Sequence, residues 1–186
     1  VAELKGVLTS CAPGVPLLDM SHDVPAQDVE HARLTVARYW RRFPVGTVHL
    51  VVVDPGVGTS RRGIAVRAGG YFFVGPDNGI FSFILIDHPE AEVRELTNAG
   101  LFRSNVATTF HGRDVFGPVA GALARGTTFE DVGPKVEDAF HFEFPRPEFA
   151  KDGALEGHVI YVDVFGSLVS TLGGEAWEKL LQGVGG

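Results

Sequence analysis

Three short stretches of this chain combine residue types and spacings that could do chemistry. The first is Asp54-Pro55-Gly56-Val57-Gly58-Thr59-Ser60-Arg61-Arg62, entered from the apolar run Val51-Val52-Val53. A carboxylate and a guanidinium on either side of a glycine-rich reversal can face one small polar ligand. Gly56 and Gly58 also suggest a phosphate loop, but the third glycine of G-x-G-x-x-G and the Gly-Lys-Ser/Thr of a P-loop are missing. The residues that follow read as a strand, so no helix N-terminus would meet a phosphate. A plain tight turn with two solvated arginines is the other reading, and residue physics alone prefers it. Against it stands the position of Asp54, at the C-terminal end of an apolar strand, where α/β sheets place ligand-contacting residues.

The second stretch is Thr108-Thr109-Phe110-His111-Gly112-Arg113-Asp114. His111 stands just before a predicted helix, where the N-terminal field opposes an imidazolium and favours a ring that donates or accepts one hydrogen bond. Capping by Thr109 or Gly112, with Asp114 complementing the dipole, explains everything here except His111. The third is Tyr161-Val162-Asp163-Val164-Phe165-Gly166-Ser167-Leu168. A carboxylate beside an aromatic ring suits a nucleoside, whose hydroxyls want an acceptor and whose base wants a stacking face; a hairpin turn is equally compatible. His22-Asp23, with His31 and His49, invites a metal, but no ligand spacing supports one.

These residues need a scaffold, and the totals allow one. At 186 residues, 45% hydrophobic and 21% charged, the chain has the composition of a globular protein of one large domain or slightly more. A net charge of −7 argues against a nucleic-acid surface. The single cysteine, Cys11, excludes an internal disulfide and fits a reducing, cytoplasmic setting. The longest apolar run, residues 80–86, is too short for the roughly 20 residues of a membrane span.

Residues 15–20 predict a buried strand, Gln27 to Phe43 a helix, and 47–54 a strand covered on both faces. In that helix Val29, Ala32, Leu34, Val36, Ala37 and Trp40 form the apolar stripe, with Glu30, Arg33 and Arg41 on the polar side. Strand, helix, strand is a crossover unit and predicts an α/β domain with a mostly parallel sheet flanked by helices. GIAVRA and YFFVGPDNG predict a hairpin turning at Gly69-Gly70, residues 79–88 a helix or a strand, with helix favoured, 92–96 a strand, and 113–126 an amphipathic helix closed by Gly126. The prolines of 142–153 mark a linker between a domain at 1–141 and a β domain beginning at 154–186, with a hairpin around Gly166 and a short helix at 175–182. The chain enters a helix at once with no initiator Met, which predicts a natural segment before Val1.

Together the stretches carry a resemblance. Lys5-Gly6, DMSHDVPAQDV at 19–29, FPVGTVHLVVVDPGVGTSRR at 43–62, FVGPDNG at 73–79 and HGRDVFGPVA at 111–120, with a looser DVFGSLV at 163–169, occur in the order seen in the S-adenosyl-L-methionine (SAM) hydroxide adenosyltransferases. The chain resembles these SAM hydrolases, relatives of fluorinase and chlorinase. The resemblance implies cleavage of SAM by water at the ribose C5′ to adenosine and L-methionine, with no metal and no cofactor. It places the family's water-holding residues on Asp54, Arg61 and His111, and substrate contacts on Asn78, Phe110, Asp163, Phe165 and Ser167. It implies a homotrimer whose site lies between one subunit's N-terminal domain and its neighbour's C-terminal, β-barrel-like domain.

Two other functions stay open at this point: a non-catalytic adenosine- or SAM-binding module, and a SAM-dependent halogenase. Fluorinase-type enzymes carry a tyrosine where Asp54 stands, a small hydroxylated residue near Val57 and a serine where Gly112 stands. The sequence also departs from the hydrolase pattern. The Thr-Asp-x-Gly segment that holds the ribose is not in it, most of the β domain is absent after about residue 174, and Ser167 replaces an asparagine. These departures predict a chain truncated at both ends.

Overall fold

The computed structural model describes residues 1–142, 147–163, 165–174 and 178. Contacts divide it into two units, Val1–Phe142 and Glu143–Gly186, each taken by itself below.

The first unit is built on a five-stranded sheet. Its strands are β1 (Val48–Leu50), β2 (Gly63–Ala68), β3 (Tyr71–Pro76), β4 (Glu92–Glu95) and β5 (Lys135–Val136), in the spatial order β1-β3-β2-β4-β5. Gly69 and Gly70 both take positive φ, the conformation a two-residue hairpin turn requires, and Ala68 pairs with Tyr71 across it. Only β1 and β3 run parallel; β2–β3, β2–β4 and β4–β5 are antiparallel. The sheet is therefore mixed and mostly antiparallel, contrary to the expected mostly parallel one. The reason is connection length: two residues can join only antiparallel neighbours, whereas a parallel pair needs a crossover of a dozen or more.

Alternation along β2 gives each face its own core. Ile64, Val66 and Ala68 join Val36, Trp40 and Phe73 on one side, while Ala65 joins Val74, Phe116, Val119 and Leu123 on the other. The first face is covered by α2 (Val29–Tyr39), capped by Asp28, whose carboxylate accepts from the His31 N–H, and by the short α3 (Ser82–Asp87). The second face carries α4 (Gly117–Ala124), against which α1 (Ala2–Cys11) packs.

Three expectations need correction. Residues 15–20 form no strand, and Leu17 and Leu18 are exposed rather than buried. Arg33, expected on the polar side of α2, is only 4% exposed and lies between the rings of Phe83 and Phe142. The helix expected over 113–126 is not amphipathic, since every residue from Asp114 to Leu123 is buried. It is also not one helix: Gly112–Phe116 is a π-turn that leads into α4. Pro118 explains the change. It has no N–H to give the Asp114 carbonyl four residues back, and its ring would crowd that carbonyl. The Asp114 carbonyl instead accepts from the Arg103 N–H at 3.0 Å, and the turn widens.

In the second unit, β6 (Glu148–Phe149) pairs with β7 (Leu155–Glu156), and β8 (Val159–Val162) with β9 (Leu168–Ser170), both antiparallel. The helix expected at 175–182 lies outside the described residues apart from Glu178.

Candidate active site

β1 runs on without further sheet pairing, apart from a Val51 N–H to Val74 carbonyl bond of 2.9 Å, and delivers Asp54 to a corner beside the sheet. Asn78 steadies that extension: its amide donates to the Val53 carbonyl at 3.0 Å while its oxygen accepts from Ile80 N–H. Two successive turns then reverse the chain, Val57 N–H to Asp54 carbonyl and Thr59 N–H to Gly56 carbonyl. The Thr59 hydroxyl bonds back to the Gly56 carbonyl at 2.7 Å and accepts the Arg61 N–H at 3.2 Å, which fixes where Arg61 leaves the turn. Gly58 takes φ +81° and packs against the Thr108 carbonyl, so the 55–60 corner and the segment before His111 touch.

The three residues expected to hold water do converge. Arg61 Nη2 donates to Asp54 Oδ2 at 2.5 Å and to His111 Nδ1 at 3.1 Å, and its Nη1 donates to the Arg62 carbonyl. The Asp54 and Arg61 side chains are 6% and 8% exposed. A buried ion pair is weak evidence of stabilisation, because desolvation offsets much of the attraction. One atom stands out: Asp54 Oδ1 is buried and accepts no hydrogen bond among the described residues. Because a guanidinium can only donate, His111 Nδ1 is the acceptor, and the ring presents Nε2–H as its donor. The corner thus offers one anionic acceptor and one imidazole donor around a cation, the equipment for holding one oxygen nucleophile.

Phe110 is exposed, with the Arg113 guanidinium 4.8 Å from its ring centre. Asn78 is placed beside Asp54, but both its polar atoms serve the protein itself. In the second unit Asp163 Oδ1 accepts from Phe165 N–H and Ser167 N–H, Gly166 turns the chain at positive φ, and Phe165 is 91% exposed. His22 bonds Asp19, which also pairs with Lys5, and His49 lies stacked on Phe73.

Sequence reasoning missed two side chains. Val52 closes on the helix start: a Cβ placed on Gly112 would lie 2.6 Å from Val52 Cγ1. Phe116 lies under both Arg61 and His111, and its place five residues after His111, ahead of a proline, is the signal that could have found it.

A sheet-edge corner that holds Asp, Arg and His together has the make-up of an enzyme site, and comparison with known proteins gives the family. A profile described as the SAM hydroxide adenosyltransferase N-terminal domain matches residues 1–133. The chain is 42% identical over 189 residues to the (R)-S-adenosyl-L-methionine hydrolase of Salinispora tropica, covering 97% of this chain and 69% of the relative. It is 39% identical over 181 residues to that of Thermus thermophilus, covering 92% and 69%. The fluorinase of an Actinoplanes species is 27% identical over 194 residues, covering 90% and 65%. A solved structure of an uncharacterized conserved protein from Thermotoga maritima is 35% identical, with a TM-score of 0.90 over 97% of this chain and 69% of that one. This chain belongs to the SAM hydroxide adenosyltransferase family.

Proposed function

We propose that this chain hydrolyses SAM, with water attacking the ribose C5′. The observation that carries the mechanism is the buried, unpartnered Asp54 Oδ1 beside Arg61 and His111. A sulfonium is already a good leaving group, so the enzyme's task is to desolvate the substrate and hold one oxygen in line with the C–S bond. Asp54 Oδ1 accepts a hydrogen bond from the water and takes its proton; Arg61 and His111 Nε2–H stabilise the hydroxide character that develops. The new C5′–O bond forms as the C5′–S bond breaks, and its electron pair stays on sulfur, giving neutral methionine and adenosine. The relatives' name specifies the (R) compound, and we take the same diastereomer as substrate.

Halogenation fits less well. A carboxylate at position 54 repels halide, and Val52 fills the space a serine at position 112 would need. The reading extends to Phe110, Asp163, Phe165 and Ser167 as substrate contacts, with Asn78 acting through Val53. It further takes the reaction as free of metal and cofactor, the enzyme as a cytoplasmic homotrimer, and the second unit as the start of a small β-barrel-like domain. Family likeness and the single cysteine support these points. No nucleic acid or membrane belongs to it: the charge is −7, and no helix among the described residues is long and apolar enough to cross a bilayer.

Incubating the protein with SAM in ¹⁸O-water tests the reading. Equimolar adenosine and methionine are expected, with the label in the adenosine 5′-hydroxyl. Adenosine no higher than in the protein-free control, or label in homoserine from attack on the methionine side, would refute it.

A further inference from the structure

Arg61 joins every part of the site. One guanidinium nitrogen serves both Asp54 and His111, so a small rotation of its plane would break one bond or the other. Its own hydrogen bonds do not fix that plane completely, since Nε is buried without a partner among the described residues. What lies against it is an aromatic face: the Arg61 guanidinium carbon is 5.2 Å from the centre of the Phe116 ring, within cation–π range. The same ring meets His111 edge to face, with centroids 6.4 Å apart and planes at 83°. Phe116 is fully buried, and Gly63 leaves it room, because a Cβ there would lie 2.7 Å from Phe116 Cε1. The π-turn that Pro118 imposes is what carries this ring beneath the site.

We propose that Phe116 is a positioning residue: its ring holds the Arg61 guanidinium in the one plane from which Nη2 reaches both Asp54 and His111, and so keeps His111 in the Nε2–H form. The proposal rests on the hydrolase reading above for its kinetic consequence, but its structural consequence does not depend on turnover.

The test compares Phe116→Leu with Val119→Ala, a buried apolar residue of the same core cluster. Phe116→Leu is expected to lower kcat about tenfold with KM for SAM little changed, the loss of roughly one cation–π contact. Val119→Ala, with a comparable fall in Tm, is expected to keep kcat near the wild-type value. Nitrogen-15 shifts of the His111 ring, read without substrate, are expected to show Nε2–H in the wild type and a tautomer mixture in Phe116→Leu. Should that variant fail to fold, Phe116→3,4,5-trifluorophenylalanine keeps the ring's size while weakening its face, and kcat should fall there too. Equal kcat losses in Phe116→Leu and Val119→Ala, unchanged His111 shifts in Phe116→Leu, or an unaffected trifluoro variant would each overturn the role of Phe116. A wild-type protein that leaves SAM intact would refute the hydrolase reading alone.

Discussion

Asp54 and Asp114 are both withdrawn from water and both face arginine, yet the structure uses them in opposite ways. Asp114 is fully buried and saturated: Arg113 grips it with Nε at 2.7 Å and Nη2 at 2.9 Å, Arg103 adds a third donor, and the Ala107 N–H a fourth. Its carboxyl is held well below the usual range, at about 2, first by the Arg113 hydrogen bonds and also by the Ala107 N–H. Asp54 has one donor and one oxygen left over. A buried polar atom without a partner is rare in a native fold, and in the proposed mechanism this one is the acceptor for the water. Saturation marks the structural carboxylate, and on the proposed mechanism incomplete satisfaction marks the reactive one. The turn aspartate of the second unit, Asp163, lies nearer the first kind, with Oδ1 closing its own loop.

Asp54→Asn puts the greatest strain on that comparison. It keeps an oxygen for Arg61 but removes the proton acceptor, so kcat should fall about a thousandfold. Stability, read by urea denaturation, should fall by only about 1 to 2 kcal/mol, because the asparagine oxygen still accepts from the buried Arg61. Asp114→Asn should do the reverse. Replacing one partner of a buried, multiply bonded pair costs about 3 kcal/mol, with a kcat loss under about tenfold. If both variants lose activity and stability in equal proportion, the distinction between the two carboxylates is wrong.

The acid limb of stability sharpens it further. Asp114 has a lowered folded-state pKa, so its stabilisation is complete above the ordinary carboxylate value and is lost as the pH falls toward 2. His49 acts earlier. Burial pushes its ring down to about 4, so between pH 6.5 and 4 the unfolded chain takes up a proton that the folded one refuses. Stability should therefore drop over that interval by on the order of 2 kcal/mol, less than the full shift because solvent screens part of it. His49→Phe should flatten the limb between pH 6.5 and 4 and leave the one below it. An unchanged profile would place the titration elsewhere.

Much of this was legible in the sequence. The hairpin at Gly69-Gly70 was, because two glycines between β-forming runs have one common solution. Asp54 and Arg61 were legible as a pair that could meet, but not as a pair that does. Thr59, Gly58 and the Thr108 carbonyl make the corner tight, and that contact joins residues far apart in the chain. His49 read as a possible metal ligand because sequence shows its type and not the Phe73 ring stacked on it. Sheet direction was misread because strand, helix, strand suggested repeated crossovers, while β2 to β3 turns in two residues. The saturation of Asp114 was hidden altogether, since Arg103 and the Ala107 N–H reach it from a loop with no periodic signal.

The smallest expected effect concerns the wall of the site and not its charges. Gly112 starts the turn that carries His111 and Asp114, and its missing side chain lets Val52, two residues before Asp54, pack against it. A Cβ 2.6 Å from Val52 Cγ1 cannot be accommodated without movement, and a branched valine has little rotamer freedom to give. Gly112→Ser should therefore push the His111 and Asp54 segments apart, an overpacking strain of about 1 to 2 kcal/mol, and lower kcat about tenfold. Adding Val52→Ala should restore most of that loss, because the second change removes the methyl group the serine meets. In a double-mutant cycle the two substitutions would then be coupled by about 1 kcal/mol. Additive losses would mean that Gly112 matters for its backbone and not for the space it leaves. Formation of 5′-chloro-adenosine by Gly112→Ser in chloride, with Asp54 still in place, would show that the serine hydroxyl outweighs the carboxylate in choosing the nucleophile.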